Sequence, residues 1–385
     1  MKNIASVILI LVMAIINFFN GFSDIPADLE KISADDVELN ESEKALLSDI
    51  FETETAWIVS LQLENGAIPM TASKNGEVSV NPYFSDIAAL ALLDNCDKYS
   101  ENVRAYMNWH FTHLNTAKDD YNGIDGTIYD YIITLENGVI VNEASKGSYD
   151  STDSYAATFL AVLEKYYEKT DDSDYILSNS SDILRVFDAM FASFDRGLTY
   201  AKPDYQVKYL MDNCEVYRGM LAATTLLGVM EDSCNVRIAM KKCASASQWL
   251  ERQLEKKLWN SEENYYESGI FRNNKPISEF SHTEFYPDAT SQLFPVYHGV
   301  ISADTYRAKA LYEAFCENFS WETLDIPSEF PWGAIVYTAA LMGDSHRVIT
   351  YMQSYSSEYM ETHSYPLYNA DAARVSMAAY ILLNS

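Results

Sequence analysis

The segment YDSTDSYAATFLAVL, residues Tyr149–Leu163, begins with acidic and aromatic side chains and continues with small and apolar ones. A helix of this composition has no broad polar face, which is typical of a helix enclosed by its neighbours. Five other segments repeat this order of residue types with variations: Tyr83–Leu93, Leu210–Leu227, Phe285–Ile301, Glu329–Met342 and Tyr368–Leu383. The pattern therefore predicts six inner helices.

More polar segments with helical periodicity lie between the inner ones, at about 42–63, 101–115, 175–192, 236–257, 303–318 and 345–354. One inner and one outer helix per repeat favours an all-α fold, an (α/α)6 toroid or barrel of six helical hairpins. The stretches 121–141 and 259–271 are rich in Tyr, Asn and Gly, so we predict small β-hairpins there, in the loops at the rim, with an extended loop as the alternative for 259–271.

The chain has 385 residues, of which 48% are hydrophobic, and a formal net charge of −29. That length can bury one large core, so residues 44–385 are predicted to form a single barrel domain, which we expect to be a monomer. The negative charge repels phosphate groups, which argues against nucleic acid or anionic lipid as a partner.

The N-terminus has the features of a targeting segment. Lys2 precedes the apolar run Ile4–Phe19, and the small residues Gly21 and Ser23 suit cleavage before Asp24. We predict a signal peptide or N-terminal anchor at 1–23 and an acidic lead-in or linker at 24–43. Either form places the folded part outside the cytoplasm, secreted or anchored at the cell surface, with the uncleaved segment as its contact with the membrane.

The five cysteines and six histidines are scattered and lack the spacing of metal ligands. We therefore expect no metal and no cofactor. The cysteines are interpreted as buried single thiols, with one disulfide as the alternative.

The starts of inner helices in a toroid lie at one end of the ring. Six acidic residues would gather there: Asp86, Asp153, Glu215, Asp288, Glu329 and Asp371. A basin rich in carboxylates and lined by aromatics suits glycosidic bond cleavage, which uses one carboxyl group as acid and another as base or nucleophile.

Asp150 and Asp153 form the strongest local pattern, in Asp150-Ser151-Thr152-Asp153-Ser154-Tyr155. Ser151, Thr152 or one aspartate can cap the helix, but capping does not account for both carboxylates. Asp153 is the best single candidate for a residue that contacts substrate, and Asp150 is a second.

The helix order, with DSTDSYAATFL after an aromatic hairpin, resembles the six-hairpin glycosidases with an (α/α)6 barrel. It is loosely similar to glycoside hydrolase family 8, in which an Ala-Ser/Thr-Asp-Gly-Asp motif opens an inner helix at this place. That family also has a general acid in a Ser-Glu-Gly segment, whereas residues 78–83 here read VSVNPY. The second half of the Asp-Gly-Asp motif is likewise replaced by Asp153-Ser154-Tyr155, so the family's acid cannot be transferred by position.

Three other acids are therefore candidates. Glu64 precedes an Asn-Gly turn near apolar Ile68, which could raise its pKa as a general acid requires, although a solvated turn residue is the ordinary alternative. Asp125 lies between glycines at the base of the predicted hairpin, where a turn-forming aspartate is common. Asp86 lies inside the first inner helix, where capping is less natural.

Aromatic residues recur at the helix starts and can stack on the C–H faces of sugar rings. The candidates for substrate binding are Tyr83, Tyr149, Tyr286, Trp332 and Tyr368, together with Asp86 and Asp150. Glu215 with Arg218, and Asp371 with Arg374, have the i to i+3 spacing of structural ion pairs.

These patterns favour a glycoside hydrolase acting on a polysaccharide, with inversion as the preferred stereochemistry. Glu64 would be the acid and Asp153 or Asp125 the base, with the two predicted hairpins walling the cleft. The acidic basin suits an amino-sugar polymer, and a neutral glycan is the alternative. A polysaccharide lyase and a non-catalytic glycan-binding protein of the same fold remain alternatives.

Overall fold

The computed structural model describes residues 26–31 and 39–385. The predicted signal peptide or anchor, residues 1–23, lies outside the described residues. Within those two ranges, none of the helices has both the length and the apolar character needed to cross a membrane.

The fold is mostly helical, and the helices occur along the chain in the order that the sequence predicts. The helices are α1 (Glu41–Leu61), α2 (Pro82–Leu92), α3 (Cys96–Thr112), α4 (Asp153–Thr170), α5 (Ser173–Ser178), α6 (Ser180–Met190), α7 (Leu210–Val229), α8 (Cys234–Gln253), α9 (Phe294–Tyr297), α10 (Tyr306–Asn318), α11 (Gly333–Leu341), α12 (Ser345–Glu358) and α13 (Asn369–Leu383).

Short strands lie between the helices. They are β1 (Glu77–Val80), β2 (Tyr131–Glu136), β3 (Val139–Ser145), β4 (Phe194–Asp195), β5 (Leu198–Thr199), β6 (Val207–Tyr209), β7 (Trp259–Asn260), β8 (Tyr265–Tyr266) and β9 (Gly269–Phe271). All of the pairings between these strands are antiparallel.

Side-chain caps account for several of the helix starts. Asn40 accepts hydrogen bonds from the first turn of α1, and Glu43 bonds back to the Asn40 N–H, which completes a capping box. Asn81 caps α2, where Pro82 occupies the first helical position and has no N–H to satisfy. Thr305 caps α10 in the same way.

The inner helices contact one another in a closed cyclic order. Helix α2 packs on α4, α4 on α7, α7 on α9, α9 on α11, α11 on α13, and α13 returns to α2. Because six members form this cycle, α7 and α13 are three steps apart in either direction and therefore lie opposite each other.

The outer helices pack against this inner set. Helix α1 lies on α13, α3 on α2 and α4, α6 on α4, α8 on α7, and α12 on α11. Buried apolar side chains fill the space between the inner and outer helices in two adjoining clusters. Small residues, such as the alanines of α2 and α13, allow the inner helices to approach closely.

The fourth predicted inner helix, Phe285–Ile301, is largely irregular. Tyr286 has an extended backbone, with φ −132° and ψ 130°, and regular α-helix is confined to the four residues of α9. Pro287 and Pro295 explain this difference, since a proline inside a helix removes a backbone donor and clashes with the preceding turn.

The predicted hairpins are present with shifted bounds. The first comprises β2 and β3, residues 131–145 rather than 121–141, and β1 joins it to give a three-stranded sheet. The second is shorter than 259–271 because β7 pairs with β8, whereas β9 pairs with β6.

Residues 26–31, from the predicted lead-in, pack against α10. Asp28 lies 2.7 Å from the buried guanidinium of Arg307, and Lys31 pairs with Asp304 at 2.8 Å. The alternative of a disulfide is not realised, since all five cysteines are free thiols.

Candidate active site

A cavity of about 610 Å³ opens at the end where the inner helices begin. This volume lies within the range typical of small-molecule sites. Four carboxylates, Asp150, Asp212, Glu215 and Asp371, and the guanidinium of Arg374 contribute to its lining. Its aromatic lining residues are Tyr83, Phe84, Tyr155, Phe285, Tyr286, Phe294, Phe330, Trp332 and Tyr368.

Helix α7 supplies two of these carboxylates from its first two turns. Asp212 and Glu215 are three residues apart, so they lie on the same face of the helix. Asp212 is half-buried and Glu215 is buried. Desolvation raises the pKa of both groups, and repulsion from Asp153 and Glu215 raises that of Asp212 further.

Asp153 lies at the start of α4, just beneath the cavity lining. Its side chain has no exposed surface, and one oxygen accepts the Ser154 N–H at 2.9 Å. The other oxygen, Oδ2, has no hydrogen-bond partner among the described residues. Desolvation therefore raises the pKa of Asp153 to about 8, with a further contribution from Glu215.

Asp153, Asp212 and Glu215 consequently form one group of interacting carboxyl groups, which we call the acidic cluster. Closely spaced carboxylates in a poorly solvated place cannot all be ionised together. Ionisation of one carboxyl group therefore raises the pKa of its neighbours. The acidic cluster therefore retains at least one proton near neutral pH, which is the condition for a general acid.

Tyr83 connects the acidic cluster to the opposite side of the cavity. Its hydroxyl donates to Glu215 Oε1 at 2.5 Å and accepts from Arg374 Nη2 at 3.4 Å. Arg374 also donates through Nε to the Tyr297 hydroxyl at 3.3 Å. These bonds orient Glu215 and place a buried positive charge near the cluster.

Asp371 lies on α13, opposite the α7 carboxylates. Its Oδ1 accepts the Gly333 N–H at 2.9 Å, which fixes the carboxyl group at the start of α11. Burial raises the pKa of Asp371, while the charge of Arg374 and the Gly333 hydrogen bond oppose that rise. The cavity thus has a carboxyl group on each of two opposing helices.

The segment 327–332 forms one aromatic wall of the cavity. Trp332 has a left-handed backbone, with φ 51°, which turns the chain into α11. Its ring contacts those of Phe285, at 5.5 Å between centroids, and Tyr286, at 5.4 Å. On the other side, Tyr83 stacks on Tyr155 at 6.1 Å.

Five of the residues predicted from sequence to bind substrate line this cavity: Tyr83, Asp150, Tyr286, Trp332 and Tyr368. Their common position at the start of inner helices, or just before it, explains why they converge. Asp153 lies directly beneath them and not in the lining itself.

Glu64 and Asp125, predicted as catalytic, are placed elsewhere. Glu64 is exposed after the end of α1, in the turn preceding Gly66. Asp125 is exposed and bound to the Arg185 guanidinium at 2.8 Å. Neither lines the cavity, because the loops that carry them pack against outer helices. The structure therefore places both residues outside the cavity, whereas α7 and α13 contribute carboxyl groups to its lining.

Asp86 and Tyr149, predicted to bind substrate, are buried away from the cavity. Asp86 accepts the Tyr106 hydroxyl at 2.8 Å and has no exposed surface. Tyr149 accepts a bond from Asn122 at 3.0 Å and packs against Tyr129. Neither residue contributes to the cavity lining.

The cavity walls and the ion pairs also differ from what the sequence predicted. The predicted hairpins contribute no residue to the cavity lining, which is walled instead by 327–332 and by Phe285 and Tyr286. Arg218 bonds to Glu164 on α4 rather than to Glu215. Asp371 and Arg374 do not form a direct ion pair, since their bonds go to Gly333 and to tyrosine hydroxyls.

Asp212 and Arg374 are the residues that sequence reasoning missed. Asp212 was detectable, since it precedes Glu215 by three residues at the start of a predicted inner helix. Arg374 was read only as an ion-pair partner, because its position beneath Tyr83 depends on the closure of the ring. In residues 26–31 and 39–385, no group of three or more His, Cys, Asp or Glu side chains is arranged to hold a metal ion.

Comparison with solved structures finds glycosidases among the similar folds. A wild-type glycosidase is 12% identical, with a TM-score of 0.60 over 90% of this chain and 98% of its own. The GH63 mannosylglycerate hydrolase from Thermus thermophilus, in complex with glucose, is 12% identical, with a TM-score of 0.55 over 86% of this chain and 99% of its own.

The GH78 family rhamnosidase of a Bacillus species is 10% identical, with a TM-score of 0.54 over 93% of this chain but 36% of its own. At these identities the likeness establishes a shared fold. No protein-family model matches the sequence, and comparison with curated proteins gives no match.

Proposed function

We propose that the protein is a glycoside hydrolase built as an (α/α)6 barrel of six helical hairpins. The closed cyclic order of the inner helices supports this architecture. The fold shared with glycosidases supports the activity. The observation that carries the proposal is the cavity in which a proton-retaining acidic cluster faces a second carboxyl group across an aromatic-lined space.

Asp212 is the proposed general acid. It lines the cavity, whereas Asp153, with its higher burial, does not. Desolvation and the neighbouring carboxylates raise the pKa of Asp212, so it can hold a proton for the leaving-group oxygen at neutral pH. Glu215 is too close along the same helix face to act from the other side of the bond, and we assign it a positioning role.

Asp371 is the proposed general base. It projects from α13, opposite α7, and its Oδ1 is held by the Gly333 N–H. An acid and a base on opposite sides of the scissile bond leave room for a water molecule between base and sugar. The proposed outcome is inversion, for which the two carboxyl groups are typically about 6.5–9.5 Å apart.

The proposed substrate is a polysaccharide or a fragment of one. The lining carboxylates disfavour uronate and sulfated sugars, which leaves amino-sugar and neutral glycans. The apolar run at the N-terminus further supports a secreted or surface-anchored protein that meets its substrate outside the cytoplasm. The proposed oligomeric state is a monomer.

The test is hydrolysis of a polysaccharide panel by residues 24–385 and two variants, Asp212→Asn and Asp371→Asn. Each variant is expected to lower kcat by about 10²- to 10⁴-fold, the usual contribution of a positioned acid or base. Asp188→Asn is the matched control, because Asp188 is an exposed carboxylate on outer helix α6. Circular dichroism and thermal unfolding check that each variant is folded.

Product stereochemistry by NMR then reports inversion or retention. Full activity in both cavity variants would contradict the two assignments, and loss of activity in Glu64→Gln would restore the acid expected from sequence. Binding without cleavage would favour a non-catalytic glycan receptor.

A lyase is the second candidate, because Arg374 and Tyr83 could neutralise and deprotonate a uronate. Desolvation raises the pKa of Tyr83 well above its ordinary value, which disfavours Tyr83 as that base. Unsaturated products, detected by their ultraviolet absorbance, would decide for the lyase.

A further inference from the structure

Exposed aromatic rings surround the mouth of the cavity. Tyr286 is 54% exposed, Phe330 37% and Tyr365 52%. Tyr286 and Phe330 belong to the cavity lining, whereas Tyr365 lies one step outside it. The Tyr365 ring contacts Phe330, at 6.5 Å between centroids, and Tyr368, at 6.2 Å. The aromatic surface is therefore continuous from the cavity wall to the outer rim.

Hydrogen bonds hold these rings in place. The Ser328 hydroxyl accepts from the Phe330 N–H at 3.1 Å and from the Trp332 indole N–H at 2.9 Å. The Tyr365 hydroxyl donates to Glu329 Oε2 at 2.9 Å. Rings that are fixed before a ligand arrives lose little conformational entropy on binding, so their contact area contributes fully to affinity.

Exposed aromatics that occur singly need no explanation, since much of any protein surface is apolar. A connected group next to a cavity is different, because it leaves apolar surface in water where a ligand could cover it. Tyr306 is an example of the ordinary case, since it is 55% exposed at the start of outer helix α10 and contacts no other aromatic ring of the described residues.

We propose that Phe330 and Tyr365 form an outer platform that binds the third and further sugar units of a glycan whose first units occupy the cavity. This inference rests on the proposed function and deepens it, since it assigns a substrate longer than the cavity can hold. The ligand class is a glycan of three or more units whose sugars present C–H faces to the rings.

The charges around the outer platform restrict those sugars further. Glu329 is bound to the Tyr365 hydroxyl, and exposed Asp150 lies at the same mouth. Lys74 approaches the Tyr365 ring at 5.8 Å, which offsets one of these negative charges. The balance stays negative, so the outer platform suits neutral or amino sugars and disfavours uronates.

The test measures affinity against chain length in the Asp212→Asn background, where the glycan stays intact. Calorimetry uses two series of two to six units, glucosamine oligomers and cello-oligosaccharides. Affinity is expected to rise about 2- to 10-fold from the disaccharide to the tetrasaccharide, the scale of one or two aromatic contacts. Tyr365→Ala is expected to remove most of that rise.

Two controls separate the ring from other effects. Tyr365→Phe keeps the ring and loses only the hydroxyl bonded to Glu329, so the rise with length is expected to remain. Tyr306→Ala removes an equally exposed tyrosine outside the cavity and is expected to change nothing.

Each result decides between the two proposals. Binding that does not strengthen with length, or a rise that survives Tyr365→Ala, overturns the outer platform and leaves the hydrolase standing if the unsubstituted protein cleaves. A rise removed by Tyr365→Ala, without cleavage by the unsubstituted protein, supports the outer platform and overturns the hydrolase. Absence of binding to both series overturns the outer platform for neutral and amino sugars. The hydrolase proposal is tested separately, by cleavage of the polysaccharide panel.

Discussion

At the scale of single residues, burial distinguishes three neighbouring carboxyl groups of this site. Asp150 is exposed, Asp212 half-buried and Asp153 fully enclosed. The three have the same chemistry, and only their surroundings distinguish them. Asp153 is the stronger candidate in the sequence, beside Tyr149 and Tyr155, but Asp212 lines the cavity and Asp153 does not.

Asp153 makes a prediction about stability against pH. Its pKa is about 8 in the folded chain and about 3.9 in an unfolded one. The folded state therefore binds the proton more tightly, so this group's favourable contribution is complete at low pH and is lost as pH rises from about 4 through 8. Asn resembles the protonated carboxyl group and does not ionise, so Asp153→Asn should not lose stability over this pH range.

We expect Asp153→Asn to unfold at about the same temperature as the unsubstituted protein at pH 5 and at least ~2 °C higher at pH 9. Differential scanning calorimetry at both pH values measures this difference. Asp188→Asn, which changes an exposed carboxylate, serves as the control. An equal shift at both pH values would mean that the substitution acts through packing rather than through the proton.

At the scale of elements, the close contact between α4 and α7 positions the acidic cluster. Gly219 of α7 packs against Ala157 of α4, where an added Cβ would lie 2.7 Å from the Ala157 Cα. Asp153 and Glu215 each lie four residues before these two positions, one turn nearer the cavity. The spacing of the two helices thus sets the spacing of the two carboxyl groups.

Gly219→Ala is a test of that contact. Higher helix propensity would stabilise the variant by about 1 kcal/mol, whereas overpacking against α4 typically costs about 1–3 kcal/mol. We expect the second effect to prevail, with a lower free energy of unfolding in urea. Gly228→Ala is the matched control, because Gly228 is exposed on the same helix and only the propensity gain applies. Equal stabilisation of both variants would show that α4 and α7 can separate freely.

At the scale of the whole molecule, charge works against folding. The sequence has 56 acidic and 27 basic side chains, and its net charge of −29 repels itself in the compact state. Exposed ion pairs such as Lys98–Glu52 contribute little to offset this repulsion. Packing of the inner helices and ring closure between α13, α1 and α2 must therefore supply most of the stability.

Salt is expected to stabilise the protein for this reason. Raising NaCl from about 0.02 M to 0.5 M shortens the range of charge repulsion to a few ångströms, and we expect the unfolding temperature to rise by ~2 °C or more. KCl should act equally, since screening does not depend on the cation, and sulfate is avoided because it stabilises by exclusion from the surface. A fall in the unfolding temperature would indicate that ion pairs outweigh the net repulsion.

The sequence by itself determined the helical class, the alternation of inner and outer helices, and the side chains at inner-helix starts. Periodicity is a local property, so the small and apolar residues of α2 and α13 were sufficient to predict these helices. Tyr83, Asp150, Tyr286, Trp332 and Tyr368 could be placed at one site for the same reason. The segment 285–289 departs from the pattern because Pro287 interrupts it.

Only the tertiary structure decided which acids share the cavity. Glu64 and Asp125 belong to loops whose positions depend on packing against helices distant in sequence. Arg185 binds Asp125 at the protein surface. Asp212 and Asp371 lie 159 positions apart in sequence and on opposing helices once the ring closes. A pKa depends on burial and on neighbours brought from elsewhere in the chain, so the proton-holding role of the acidic cluster arises from the fold.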